Sequence, residues 1–125
     1  MNIPSNILYT KEHEWVRIED DYAIVGITDY AQSELGDIVF IEFPNINDKF
    51  DQNEAFGVVE AVKTVSDLFI PLSAEILEIN HRLEENPELI NSDPYGDGWI
   101  VKLSLFKKNE LEMLLSSEDY KKIIS

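Results

Sequence analysis

Apolar positions come in short runs along this chain, and their spacing predicts strands for most of it. Residues 7–18 form a first strand region that ends in Trp15-Val16-Arg17-Ile18. The turn Glu19-Asp20-Asp21 leads to a second strand, Tyr22-Ala23-Ile24-Val25-Gly26-Ile27. Asp suits such a turn because its short polar side chain tolerates left-handed backbone. The period then changes. Thr28 or Asp29 can cap a short helix through Leu35, and Gly36 can end it. Ala31 and Leu35 would share its buried face at i, i+4 spacing. A third strand over residues 38–43 stops at Pro44, and residues 45–53 form a polar loop around Phe50.

Residues 56–80 are the stretch around which the rest is organised. They predict two strands with a tight, polar-tipped connection. Val58, Val59 and Val62 lie on the incoming side, Leu68, Phe69 and Ile70 on the outgoing side, and residues 63–67 between them. β-Branched residues favour strands, and Gly57 and Pro71 punctuate the pair. Lys63 is thereby held out at or near a hairpin tip, with Glu60 and Asp67 on either side. Beyond Pro71, residues 76–79 form another strand. Residues 81–91 form a helical turn or two interrupted at Pro87, 93–98 a dense turn, and 99–105 the last strand. The C-terminal segment reads as helical. Leu111, Leu114 and Leu115 make an apolar stripe, and Ser116 or Ser117 caps a second short helix carrying Tyr120, Ile123 and Ile124. The expected fold is all-β with small helical insertions: a compact sandwich or flattened barrel with C-terminal helices against its surface.

Length adds that residues 1–125 form one domain, large enough to bury roughly two-thirds of its unfolded surface. The absence of cysteine excludes disulfides, thiolate nucleophiles and thiolate metal sites. With 25 acids against 10 bases, the formal charge of −15 argues against nucleic acid and anionic membrane as partners. It fits a small monomer that docks on larger, locally basic proteins. No signal-like leader and no apolar run of about 20 residues is present, so a soluble, cytoplasmic protein is expected.

Few residues offer chemistry. His13 and His81 lie far apart in the chain, and the carboxylates follow no calcium-loop spacing, so no metal site is expected. No nucleophile-elbow or phosphate-loop sequence occurs, and no catalytic residues are assigned. The segment Lys11-Glu12-His13-Glu14-Trp15 sets an imidazole, two carboxylates and an indole close together. It is either a surface strand with Trp15 packed inward or one wall of a cleft, with Trp15 as floor and His13 and Glu14 as polar contacts. Lys63 is either a solubilising edge group or an amine that an enzyme modifies.

From Lys11 onward the sequence resembles the H proteins of the glycine cleavage system, which are lipoyl carriers. Four blocks carry the resemblance, in family order and over nearly the whole chain. They are Lys11-Glu12-His13-Glu14-Trp15-Val16; Gly26-Ile27-Thr28-Asp29 through Ala31-Gln32 to Leu35-Gly36-Asp37; Gly57-Val58-Val59-Glu60-Ala61-Val62-Lys63 through Ser66-Asp67 and Pro71 to Asn80; and Asn86-Pro87-Glu88-Leu89-Ile90-Asn91-Ser92-Asp93-Pro94-Tyr95 with Gly98-Trp99.

The resemblance implies a barrel-sandwich hybrid fold, as in biotinyl and lipoyl domains, and lipoate in amide linkage on Lys63, with Glu60 beside it. It implies four partners: a pyridoxal-phosphate glycine decarboxylase (P protein), a tetrahydrofolate-dependent aminomethyltransferase (T protein), dihydrolipoamide dehydrogenase (L protein) and a lipoate-attaching enzyme. In this family the loaded arm folds into a surface cleft, which makes Glu14, His13 and Asp67 the positions to watch. The chain itself would be a shuttle, not an enzyme. Asp20, Asn47 and Asn53 stand where the family more often has glycine, in turns that Asp and Asn tolerate. Ala74 also replaces a usual glycine, and an extended backbone there would make the change harmless. Three alternatives stay open: a lipoyl donor or relay for other complexes, an unmodified interaction domain, and a biotin carrier. The last is disfavoured because Val62 and Thr64, not methionines, flank Lys63.

Overall fold

The computed structural model describes residues 1–104 and 107–125, the side chain of Lys108 excepted. Among the described residues, nine strands make two antiparallel sheets. They are β1 (Leu8–Tyr9), β2 (Glu14–Ile18), β3 (Tyr22–Ile27), β4 (Ile38–Glu42), β5 (Lys49–Phe50), β6 (Ala55–Ala61), β7 (Val65–Phe69), β8 (Ala74–Ile79) and β9 (Val101–Ser104). One sheet has the order β1-β2-β3-β9-β8-β5 and the other β4-β6-β7. Alternate residues of the two sheets meet in one core: Val16, Val25, Ile76 and Leu103 from the larger, Ile41, Val59 and Leu68 from the smaller. The smaller sheet is thus fixed from behind while its outer face stays open. This is the barrel-sandwich arrangement the sequence implies.

The helices fall close to where capping chemistry puts them. In α1 (Asp29–Leu35) the Thr28 side chain accepts from the Ala31 N–H at 3.1 Å. Gly36, at φ 80°, ends the helix by donating its N–H to the Gln32 carbonyl at 2.9 Å. That backbone is left-handed, which glycine adopts without strain. Ala31 and Leu35 pack on the core as their spacing requires. Pro87 separates α2 (Arg82–Glu85) from α3 (Leu89–Ser92). Ser116 caps α4 (Ser117–Ile124), its hydroxyl accepting from the Asp119 N–H at 3.2 Å. None of the helices among the described residues is long and apolar enough to cross a membrane.

Several elements differ from the sequence reading. Residues 7–18 are two strands folded back on each other, with Leu8 opposite Val16 and Tyr9 opposite Trp15. The reversal is made by His13, whose φ of 70° is left-handed, and by Thr10, whose hydroxyl accepts from the Glu14 N–H at 3.1 Å. Left-handed backbone in a non-glycine residue costs roughly 1–2 kcal/mol, which several local hydrogen bonds offset here. Phe50 belongs to a short strand, since its register with Ala74 buries part of its ring. Leu111 lies in a 3-10 helix (Lys108–Met113), but Leu115 leaves it and bridges Tyr9. The three leucines therefore do not form one stripe: Leu111 and Leu114 face the main core and Leu115 a second cluster. Leu105, expected to finish the last strand, lies outside the described residues. Asn47 and Asn53 are left-handed, with φ 77° and 73°, whereas Asp20 and Ala74 are not.

Candidate functional site

β6 and β7 pair from Ala55↔Phe69 to Glu60↔Val65, and Ala61 donates its N–H to the Thr64 carbonyl at 2.8 Å. That bond closes the hairpin more tightly than the sequence suggests, leaving Val62, Lys63 and Thr64 at the tip. Residues 65–67, read as connection, belong to the outgoing strand. A second bond, from the Val62 N–H to the Asp37 carbonyl at 3.1 Å, ties the tip to the start of β4. Lys63 is exposed. Among the described residues it makes no ion pair within 4.0 Å. A cleft of about 340 Å³ runs beside it, between residues 33–37 at the end of α1 and Val62–Lys63. A larger cleft of about 430 Å³, lined by Lys49, Phe50, Ser73 and Lys107 among others, does not include the tip.

Glu60 and Asp67 lie on the outer face of the small sheet, opposite Val65 and Val58 respectively. They are diagonal neighbours below the tip. Glu60 is half-buried and Asp67 exposed.

Glu14 is placed differently. It points from β2 into the gap between the sheets and is 2% exposed. One carboxyl oxygen lies 2.7 Å from the Thr10 hydroxyl, and the other accepts the Phe69 N–H of edge strand β7 at 3.2 Å. It thus joins the two sheets. Burial pushes its carboxyl up to about 8, against the opposing effect of those hydrogen bonds. It carries a proton through much of the neutral range.

His13 turns away from Glu14. Its ring packs on Tyr30 and Tyr120, and its Nδ1 lies 2.8 Å from the Tyr120 hydroxyl. The same hydroxyl lies 2.7 Å from the Thr28 hydroxyl. Burial lowers the imidazole below its usual range, although the carboxylates of Glu12 and Glu34 act the other way. Tyr9 stacks on Tyr120 with ring centroids 4.7 Å apart. This set fastens α4 to α1 and to the β1–β2 turn. Tyr120→Phe removes the hydroxyl that partners both His13 and Thr28. It is expected to lower stability by about 1–2 kcal/mol in a denaturant melt without altering modification at Lys63.

Trp15 is not a cleft floor shared with Glu14. Successive strand residues face opposite sides, so Trp15 lies behind the large sheet with Tyr9, Tyr95 and Tyr120. Its indole N–H donates to the Pro94 carbonyl at 2.9 Å. The ring covers Gly26, its cross-strand partner, where an added Cβ would come within 2.8 Å of the indole. The structure therefore brings Glu60 and Asp67 near the tip and puts Glu14 behind β7. It packs the half-buried His13 ring against Tyr30 and Tyr120, and Trp15 behind the large sheet. The walls of the cleft beside Lys63 include Leu35-Gly36-Asp37, which belong to the second block of the resemblance, but the local sequence does not show that the helix end at Gly36 lies beside the hairpin.

Fold and site define a two-sheet β protein that presents one exposed lysine at the tip of a hairpin. The sequence model of the family described as Glycine cleavage H-protein matches residues 7–125. The glycine cleavage system H protein of Halothermothrix orenii is 57% identical, covering 96% of this chain and 94% of that protein. That of Bacteroides thetaiotaomicron is 54% identical over 100% of this chain and 99% of its own. The crystal structure of a glycine cleavage system H protein from Mycobacterium marinum superposes with a TM-score of 0.85 at 36% identity, covering 96% of this chain and 97% of that one. The chain belongs to the glycine cleavage H-protein family.

Proposed function

We propose that this chain is the lipoyl-lysine carrier of a glycine cleavage system, with lipoate joined to Lys63. The observation that carries the reading is the hairpin tip. One exposed lysine, without an ion-pair partner among the described residues, stands on a sheet fixed from behind by the core. The residues present fit the group. An amide at that nitrogen needs no rearrangement of the hairpin, and the cleft along residues 33–37 is adjacent and partly apolar through Leu35 and Val62.

When attached, the dithiolane supplies redox and carrier chemistry for the aminomethyl group of glycine. The chain's own residues present and shelter. The rigid hairpin confines the arm to a small volume and so raises its effective concentration at each enzyme. Glu14 lies behind the β7 edge as a buried acid that a docked amine could ionise, which would replace a neutral contact with a charge-assisted hydrogen bond. Asp67, exposed on the same strand, adds a carboxylate near the approach. His13, held neutral by burial and engaged with Tyr120, stays out of that exchange. The partners in this reading are the glycine decarboxylase (P protein), the aminomethyltransferase (T protein), dihydrolipoamide dehydrogenase (L protein) and the enzyme that attaches lipoate.

Reconstitution tests the reading. The lipoylated chain, mixed with a glycine decarboxylase, is expected to support glycine-dependent exchange of labelled carbon dioxide, and the unmodified chain is not. Equal exchange by both forms would overturn it.

A further inference from the structure

The outer face of β4-β6-β7 interleaves exposed apolar side chains with carboxylates, where a solvated sheet face is usually polar. Phe40, Glu60 and Val65 lie side by side across the three strands, and Glu42, Val58 and Asp67 form the next row. Phe40 is 51% exposed and Val65 62%; Val39, the bulged residue at the start of β4, is 49% exposed, and Val62 at the tip 70%. Val62 adjoins Lys63, and Phe40 and Val65 flank Glu60 in the last paired row before the tip. Large apolar residues clustered in solvent mark an interaction surface more often than chance scatter does. The charge on the face is acidic: Glu60 stands between Phe40 and Val65, Glu42 and Asp67 flank Val58, and β4, β6 and β7 contain no Lys or Arg.

The geometry points to this face as the docking surface for the enzyme that builds the amide on Lys63, a partner whose own surface interleaves apolar contacts with basic groups. The inference rests on the reading of Lys63 as the lipoate acceptor. Two arguments select this occupant. The carboxylates on this face would repel a second copy of the chain, so the partner must carry the opposite charge. The amide-forming enzyme is also the one partner that must bring its reacting atom to the lysine nitrogen itself. There the Nζ lone pair forms the N–C bond to the carbonyl carbon of an activated lipoyl donor. The donor's adenylate or thiolate leaves with its bonding pair, and one Nζ proton passes to the enzyme or solvent. An enzyme that works at the far end of a finished arm can stand away from the tip. One that makes this bond must enclose Lys63 and so contact Val62, Val65 and Phe40.

The test compares the wild-type chain with the double variant Phe40→Ser/Val65→Ser and with Leu77→Ser, an exposed leucine on β8 of the other sheet. Each is given a lipoate ligase, ATP and lipoic acid, and attachment is followed by intact mass. The double variant is expected to lose about tenfold or more in the second-order rate constant of lipoylation. Leu77→Ser is expected to match wild type, and raising the salt is expected to slow wild type. Melting curves confirm that the variants are folded. The double variant, driven to full lipoylation with excess ligase, should then serve the decarboxylase at the wild-type rate. Equal lipoylation rates in wild type and double variant would overturn the docking face, as would a defect confined to the decarboxylase step. Failure of wild type itself to be lipoylated would instead overturn the acceptor reading.

Discussion

Lys63→Arg is expected to abolish lipoylation and glycine-dependent exchange while leaving the melting temperature within about a degree of wild type. The lysine contributes nothing to the core, and an exposed substitution of this kind changes stability by roughly 0.5 kcal/mol or less. Arginine keeps the positive charge and much of the stem, so docking through the surrounding face should survive. What it lacks is an amine able to give up a proton and attack an acyl carbon, since the guanidinium stays charged in proteins. Binding of the attaching enzyme with loss of product is therefore the expected pattern. Substantial lipoate on the Arg variant, at any other lysine, would contradict the assignment of the site.

Glu14→Gln is expected to flatten the dependence of stability on pH. The folded carboxyl titrates at about 8 against 4.5 for an unperturbed one, so the folded state holds its proton more tightly than the unfolded chain does. The stability tied to that proton is fully present below about 4.5 and is lost as pH rises to about 8. Within that window one such group takes away up to about 1.4 kcal/mol for each pH unit, a large effect for a domain of marginal stability. Gln can keep both neighbours, accepting from the Phe69 N–H and donating to the Thr10 hydroxyl, and it does not titrate. Denaturant melts from pH 5 to pH 9 should show wild type losing stability relative to the variant as pH rises. Parallel curves would contradict the placement of Glu14 as a buried, protonated acid. The same variant addresses its second role: lipoylation should be unaffected, but the loaded carrier should release formaldehyde and ammonia sooner. Glu14→Ala is the poorer probe, because it also leaves the part-buried Phe69 N–H without its partner.

The parts of the fold legible in the sequence were those set by local chemistry. Thr28 and Gly36 bound a helix because one side chain and one left-handed residue satisfy its ends. Val58 and Val59 against Leu68 mark a hairpin, and Pro87 breaks a helical segment. What escaped was set by contacts distant in sequence. His13 gives no glycine signal, yet its left-handed backbone turns β1 onto β2. The burial of Glu14 depends on β7, which is 51 or more positions further on, and a lone carboxylate next to Trp15 looks like surface until that strand is in place. Phe50 and residues 65–67 carry no strand pattern of their own, because short or edge strands place polar residues on their open side. Leu115 keeps helical spacing with Leu111, but its pairing with Tyr9 draws it out of the helix. The candidate site divides in the same way. Lys63, Glu60 and Asp67 follow from one hairpin, whereas Glu14 and the cleft wall at residues 33–37 need the assembled sheets.

Intact mass of the chain isolated from its native host, with peptide mapping across residues 56–80, tests the central claim most directly. One lipoyl group, on Lys63, is the expected result. A bare Lys63 in cells supplied with lipoate, a biotinyl group there, or lipoate on another lysine would contradict it.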